Sequence, residues 1–286
     1  VSLDAREKGQ LRQEGSGKLA ITGIERRRRT VMDRWRGMGM DVATRGELLL
    51  HRLAPFANLS TDEVALVTSL AAKTEEFSAG TELVAEGQSL DTPRLLISGW
   101  ACRFRMLPDG RRQIFEFILP GDIYGLCLRP QAIALTTAIA LTPVSIADAS
   151  ALGDAIINRS DEYPGLTAAC HSTASLEEAY LLNQLMRVGR QTAYERTAHL
   201  ILELHERLSI VGLADETTVA IPLTQEIMAD ALGLSVVHLN RTLQQLRRNQ
   251  LIEFKSGQVR LLQPDQLAQL ADFRPPRITQ MTRAAA

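Results

Sequence analysis

The stretch "ADALGLSVVHLNRTLQQLRR" (Ala229–Arg248) breaks a helical pattern at Gly233 and restarts it at Ser235. Gly233 supplies the left-handed conformation that ends a helix without a Cβ clash. Thr224 is placed to cap the first helix, which runs to Leu232, although Glu226 comes one residue too early for a full capping box. Leu234 plugs the angle between the helices, and Ser235 caps a second helix that reaches about Asn249. Leu239, Leu243 and Leu246 repeat at spacings of four and three, which makes one buried stripe. The opposite face carries Val236, Val237, Asn240, Arg241 and Gln244. Downstream, "LIEF" and "QVRLL" flank Ser256-Gly257, a two-residue turn signal, and read as a hairpin wing.

Two helices set at a steep angle by a tight turn, followed by a wing, suit a DNA major groove. The second helix enters the groove and the first crosses the backbone. On this reading Val236, Val237, Asn240 and Arg241 face base edges. Arg241 offers paired donors to guanine, Asn240 can bond adenine, and the valines can pack on thymine methyls. Thr224, Ser235, His238, Gln244, Arg247 and Lys255 are the expected phosphate contacts, with Arg248 and Arg260 as further cations. A Gly-centred turn also occurs in helical domains that touch no DNA. A regulatory module acting through protein contacts is therefore the alternative.

The bulk numbers bound the rest. A chain of 286 residues suggests about two domains. A net charge of −1 requires any nucleic-acid contact to come from a local patch. Cys102, Cys127 and Cys170 form no CxxC, which argues against a Cys-rich metal site and fits a reducing compartment. No apolar run has the ~20 residues of a membrane helix, and the N-terminal segment lacks a signal-peptide core. A cytoplasmic protein without a membrane partner is expected. No P-loop, GxSxG or HExxH is present, so neither enzymatic activity nor a cofactor is expected.

Along the chain, residues 1–45 read as a disordered or non-native extension, including the Arg26–Arg29 run. Residues 46–160 hold Ser60 or Thr61 as a helix cap and then short β-rich runs. Asp109-Gly110 lies between two alternating runs and signals a hairpin, and Val144–Ile146 reads as the last strand. Residues 161–190 form a long helix, interrupted early by Pro164 and ending in a "VGR" hinge at Val188–Arg190. Its apolar stripe is Leu166, Cys170, Leu176, Tyr180 and Met186, a pattern that a core helix gives as readily as a dimer helix. Residues 191–273 contain a second helix, a short strand and the helix-turn-helix, and 274–286 are a flexible tail. The fold class is α+β: an antiparallel β-roll, a long central helix and a winged helix-turn-helix.

"LTQEIMADALGLSVVHLNRTLQQLRRNQLIEFKSGQVRLL" (Leu223–Leu262) resembles the winged helix-turn-helix of the cyclic-AMP receptor/fumarate–nitrate regulator (Crp/Fnr) family. "GTELVAEGQ", "LISGWACRF" and "PDGRRQIFEFILPGDIYG" resemble its cyclic-nucleotide-binding roll. The resemblance spans residues from about 50 to 265. It implies a homodimer joined through the central helix, with Leu166, Cys170, Leu176 and Tyr180 on the seam, and a two-fold-related operator. It also implies RNA polymerase as a partner. The effector pocket then falls on Gly121, Tyr124, Leu126, Cys127, Leu135 and Thr136.

The chain departs from the family at its phosphate cassette. Leu126 stands where the ribose-binding Glu would be, Ala134 or a neighbour stands where the Arg would be, and no Arg lies between Arg129 and Arg159. A buried cyclic phosphate without a cation is costly, so the effector is expected not to be cyclic AMP. The iron–sulfur branch needs cysteines that do not occur before Cys102, and His51 is a poor haem ligand. In the recognition helix Val237 replaces a base-reading Glu while Arg241 is retained, which implies an altered half-site.

Overall fold

The computed structural model describes residues 42–126 and 132–277. The N-terminal extension, the Arg26–Arg29 run, Cys127 and the end of the tail lie outside the described residues. Two helices, α1 (Val42–Leu53) and α2 (Thr61–Leu70), precede eight strands. These are β1 (Thr74–Phe77), β2 (Glu82–Val84), β3 (Arg94–Ser98), β4 (Ala101–Met106), β5 (Arg112–Ile118), β6 (Ile123–Tyr124), β7 (Thr137–Ala140) and β8 (Val144–Asp148). Helices α3 (Ser150–Asn158), α4 (Pro164–Gly189) and α5 (Ala193–Ile210) follow. The chain continues through β9 (Thr218–Ala220), α6 (Gln225–Leu232), α7 (Val236–Arg248), β10 (Ile252–Lys255), β11 (Gln258–Leu261) and α8 (Pro264–Ala271).

The first eight strands form two antiparallel four-stranded sheets, ordered β1-β8-β3-β6 and β2-β7-β4-β5. In β7 alternate residues are buried, as a half-exposed sheet requires. Asp109-Gly110 sits in the β4–β5 turn, and Met106 pairs with Arg112 across it. Gly99 links β3 to β4 at φ +84°, where an added Cβ would lie 2.2 Å from the Pro143 carbonyl oxygen. Only glycine fits that approach. The roll core collects Leu96, Ala101, Ile118, Val144 and Ile146, all nearly inaccessible to water.

Ser60, not Thr61, is the cap of α2, in a full capping box with Glu63. Glu63 does a second job. Its Oε1 accepts from the Leu166 backbone N–H at 2.9 Å, which ties α2 to the N-terminus of α4. Pro164 does not interrupt α4 but begins it, because the first turn of a helix needs no N–H from that residue. The helix also runs through Val188 and Gly189, so the break falls at Arg190–Thr192, where Thr192 caps α5 with Glu195. A buried network spans this break. Arg187 bonds both carboxylate oxygens of Glu203 (2.6 and 3.2 Å), the Gln184 side-chain oxygen (2.9 Å) and the His199 Nδ1 (3.1 Å). Such a network locks the relative setting of α4 and α5.

The stripe assigned to a dimer seam needs correction. Leu166, Cys170, Leu176 and Tyr180 are 0–7% exposed within the single chain. They are covered by their own chain and are not available to a partner. The apolar residues of α4 left uncovered are Leu181, Leu182, Leu185 and Met186. A 26-residue helix carries two apolar faces, and the roll takes the first.

Candidate nucleic-acid interface and cavity

The helix-turn-helix assembles from local signals. The Thr224 hydroxyl accepts from the Ile227 N–H (3.2 Å), and the Ser235 hydroxyl accepts from the His238 N–H (3.2 Å). Each satisfies one orphan donor of its helix and leaves its own O–H free to donate to an anion. Gly233 takes φ +62° and caps α6. Leu239, Leu243 and Leu246 are buried in a core shared with Leu200, Leu204, Met228 and Val259. Burial of those leucines fixes which face of α7 stays outside.

On that outer face Val236 and Val237 are 40% and 61% exposed. Arg241 and Gln244 are exposed, His238 stands in the first turn, and Asn240 is half-buried at the edge of the face. Positions 237, 241, 244 and 248 fall on successive turns of one side. The 13 residues of α7 span about 20 Å, enough to cross a major groove. Behind α7, β10 and β11 form a hairpin and β9 completes the sheet. Ser256 and Gly257 both take positive φ (52° and 75°), as a tight primed turn demands. Lys255 and Arg260 are exposed on this wing, and Arg247 is tied to it by a bond to the Phe254 carbonyl (3.3 Å). Thr224, half-buried, and Ser235, exposed, sit at the two helix starts.

The other expected residues converge elsewhere. Gly121, Tyr124, Leu126, Leu135 and Thr136 line one cavity of about 270 Å³ between the roll and α4. The sixth, Cys127, lies outside the described residues. Sequence reasoning missed its charged wall, namely Arg52 from α1, Arg103 from β4, Glu116 from β5, Asp122 and Glu177 from α4. Arg52 pairs with Asp122 at 2.5 Å, and Arg207 from α5 reaches the same carboxylate at 2.6 Å. Arg103 pairs with Glu116 at 3.0 Å and donates to the Thr136 hydroxyl at 3.1 Å. Burial, reinforced by the nearby Glu116 carboxylate, pushes Glu177 up to about 8. Burial likewise pushes the Cys102 and Cys170 thiols up to about 12, which leaves almost no thiolate at neutral pH. His51 is exposed on α1.

Roll and helix-turn-helix touch directly. Arg112 on β5 binds Asp230 on α6, and Gln113 and Gln184 both donate to the Ala231 carbonyl (3.3 and 2.6 Å). Arg196 donates to the Leu232 carbonyl at 2.9 Å. The free C-terminal carbonyls of α6 are thus capped by side chains from β5, α4 and α5.

Known proteins agree with this arrangement. A cyclic nucleotide-binding domain matches residues 74–151, and a Crp-like helix-turn-helix domain matches residues 195–270. The chain is 31% identical over 196 residues to a nitrogen fixation regulation protein FixK of Bradyrhizobium diazoefficiens, covering 68% of this chain and 80% of that protein. It is 30% identical over 190 residues to the transcriptional activatory protein AadR of Rhodopseudomonas palustris, covering 66% and 77%. Among solved structures, FixK2 from Bradyrhizobium japonicum superposes with a TM-score of 0.60 at 26% identity, over 69% of this chain and 96% of that one. With the roll, the long helix and the winged helix-turn-helix in the same order, the chain belongs to the Crp/Fnr family of transcription regulators.

Proposed function

We propose that the protein binds a two-fold-symmetric operator as a homodimer and that α7 reads the bases. One observation carries this reading. The leucine side of α7 is sealed in the core while Val237, Arg241 and Gln244 stand free on the other. Arg241 is the specificity residue, Val236, Val237 and Asn240 complete base contact, and the remaining polar groups hold phosphates. Lys255, His238, Gln244, Arg247, Thr224 and Ser235 are those groups.

The exposed Leu182 (59%) and Leu185 (66%) on α4 support the dimer. A second copy packed there covers an apolar stripe that water otherwise wets. It also places two recognition helices to meet half-sites one turn apart, about 34 Å. A regulator of this kind acts by contact with DNA and RNA polymerase in the cytoplasm and needs no catalysis. Among the described residues no helix is long and apolar enough to cross a membrane.

The cavity beside α4 is read as the effector site, and its ligand is not cyclic AMP. Arg103 is paired with Glu116, Arg52 spends one nitrogen on Asp122, and Leu126 and Ala134 stand where the family's ribose and phosphate ligands would be. Selection from random DNA followed by gel shift tests the operator reading. A consensus changed where Val237 faces the bases, lost on Arg241→Ala, is the expected outcome. Recovery of the usual TGTGA- or TTGAT-like half-site, or binding unchanged by Arg241→Ala, counts against it.

A further inference from the structure

Helix α4 carries one exposed stripe along its length. Ala168, His171, Ser175, Glu178, Leu182 and Leu185 are all exposed, and they stand alternately three and four residues apart. That is the seven-residue repeat of a helix that packs along a second helix. The buried residues of α4, among them Leu166, Leu176, Tyr180 and Arg187, lie on its other sides, which pack against α1, α3, β5 and α5. The stripe is therefore the side that the described residues of its own chain leave open.

The two halves of the stripe differ in chemistry. Leu182 and Leu185 occupy inner positions of the last repeat, and Leu181 and Met186 flank them at 43% and 37% exposure. That repeat is a continuous apolar patch. Glu178 occupies the inner position one turn earlier, where the same repeat calls for an apolar side chain. The positions beside it hold Ala174, Ala179 and Leu181, none of which can neutralise a carboxylate. The alanines also leave little side chain to hold two helices apart.

A two-fold operator needs both helix-turn-helix units at the same end of the paired helices, so two copies of α4 must run parallel. In a parallel pair about a two-fold axis each inner residue meets its own copy. Leucine on leucine buries apolar surface. Glu178 on the same residue of the second copy sets two carboxylates against each other where water is partly excluded, and like charges so placed repel. A polar residue at a single inner position lowers the stability of a coiled coil.

We propose that Glu178 sets the strength of the homodimer. Leu182 and Leu185 draw two copies together, and the like-charge pair of Glu178 opposes them. Association is then reversible at low protein concentration, and only the dimeric fraction holds both half-sites. The inference rests on the homodimer reading above and adds to it the residue that limits assembly.

The test is sedimentation of the full chain over a range of concentrations. Glu178 is exposed, so its replacement does not strike the interior, and unchanged thermal melting confirms that. Glu178→Leu should tighten the dimer by about ten-fold or more, and Glu178→Gln should tighten it less. Raising sodium chloride from about 0.05 M to about 0.5 M should tighten the unmodified dimer and have a smaller effect on Glu178→Gln, because salt screens the repulsion. Mild oxidation of the full chain with Glu178→Cys should link two copies through position 178, read by mass spectrometry. Glu253→Cys, exposed on the wing, should not link. Dimer strength unchanged or lowered in both Glu178→Leu and Glu178→Gln overturns the proposal. So does equal salt dependence in the unmodified chain and Glu178→Gln, or absence of the link at 178. A dimer indifferent to Glu178 sinks this inference alone, while a chain that stays monomeric in every variant sinks the homodimer reading as well.

Discussion

Arg112 donates from both Nε and Nη2 to a single oxygen of Asp230, at 2.8 and 2.7 Å, and so joins strand β5 of the roll to helix α6 of the helix-turn-helix. The same strand carries Glu116 and Ile118 in the cavity wall. Beside it Gln184 donates to the carbonyls of both Ile114 and Ala231 (3.1 and 2.6 Å), which brings α4 into the same joint. One strand therefore touches the cavity at one end and the DNA-reading unit at the other. The joint therefore sets β5 directly against α6, the first helix of the helix-turn-helix. Because the two side chains are 21% and 25% exposed, water screens the pair in part. A double-mutant cycle with Arg112→Gln and Asp230→Asn should give a coupling of about 1 kcal/mol in unfolding free energy. Zero coupling in urea denaturation means that this ion pair adds nothing to the joint beyond its hydrogen bonds and packing.

Arg241 and Lys255 should fail in different ways. Arg241→Ala removes the proposed base contact and should cost about 1–3 kcal/mol on the selected operator, with relaxed preference at one position. Lys255→Ala removes the proposed phosphate contact. It should weaken all sequences alike and lower the slope of log affinity against log salt by about 1. Fluorescence anisotropy at several salt concentrations separates the two, and identical behaviour of both variants contradicts the assignment.

Leu182 and Leu185 are the seam of the proposed dimer. Leu182→Glu with Leu185→Glu places four like charges at a two-fold interface and should yield a folded monomer by light scattering. Operator affinity should fall by two orders of magnitude or more, since two linked half-site contacts become one. Leu176→Glu instead strikes the interior of a single chain, where Leu176 is 5% exposed, and should lower the melting temperature before it alters assembly.

His199 sets an acid limit. It is 1% exposed, packs edge-on to Phe273 at 5.0 Å, and sits 3.1 Å from the Arg187 guanidinium. Burial first, and then Arg187, depress it to about 4. The unfolded chain takes up this proton near its ordinary value of 6.5, well before the folded chain does. Stability from this group is therefore complete above pH 6.5 and drains away as the pH falls towards 4. The loss is on the order of 2–3 kcal/mol. Urea midpoints at pH 7 and pH 4.5 should diverge less in His199→Gln than in the unmodified protein.

Cys102 and Cys170, buried with thiols held near 12, should resist iodoacetamide at pH 8 in the native state and react fully in urea. Rapid native labelling of either, read by mass spectrometry, contradicts their enclosure. A switch built on these two thiols is disfavoured by the same burial.

The sequence by itself determined what is local. Thr224, Ser235 and Gly233 specify where two helices begin and end, because a cap or a left-handed residue acts within one turn of its own position. The leucine spacing in α7 likewise declared which side faces in, since that helix has a single apolar stripe. Asp109-Gly110 and Ser256-Gly257 marked their hairpins for the same reason. The central helix was different. It carries two apolar faces, and periodicity cannot say which one the chain itself covers, so Leu166, Cys170, Leu176 and Tyr180 fitted core or seam alike, the resemblance favoured the seam, and packing makes them core. The cavity shows the same limit more sharply. Arg52, Arg103, Glu116, Asp122 and Glu177 come from separate elements spread over 125 residues, and nothing in their neighbours marks them as a set. Charge pairing inside a fold depends on which elements meet, and only tertiary packing decides that.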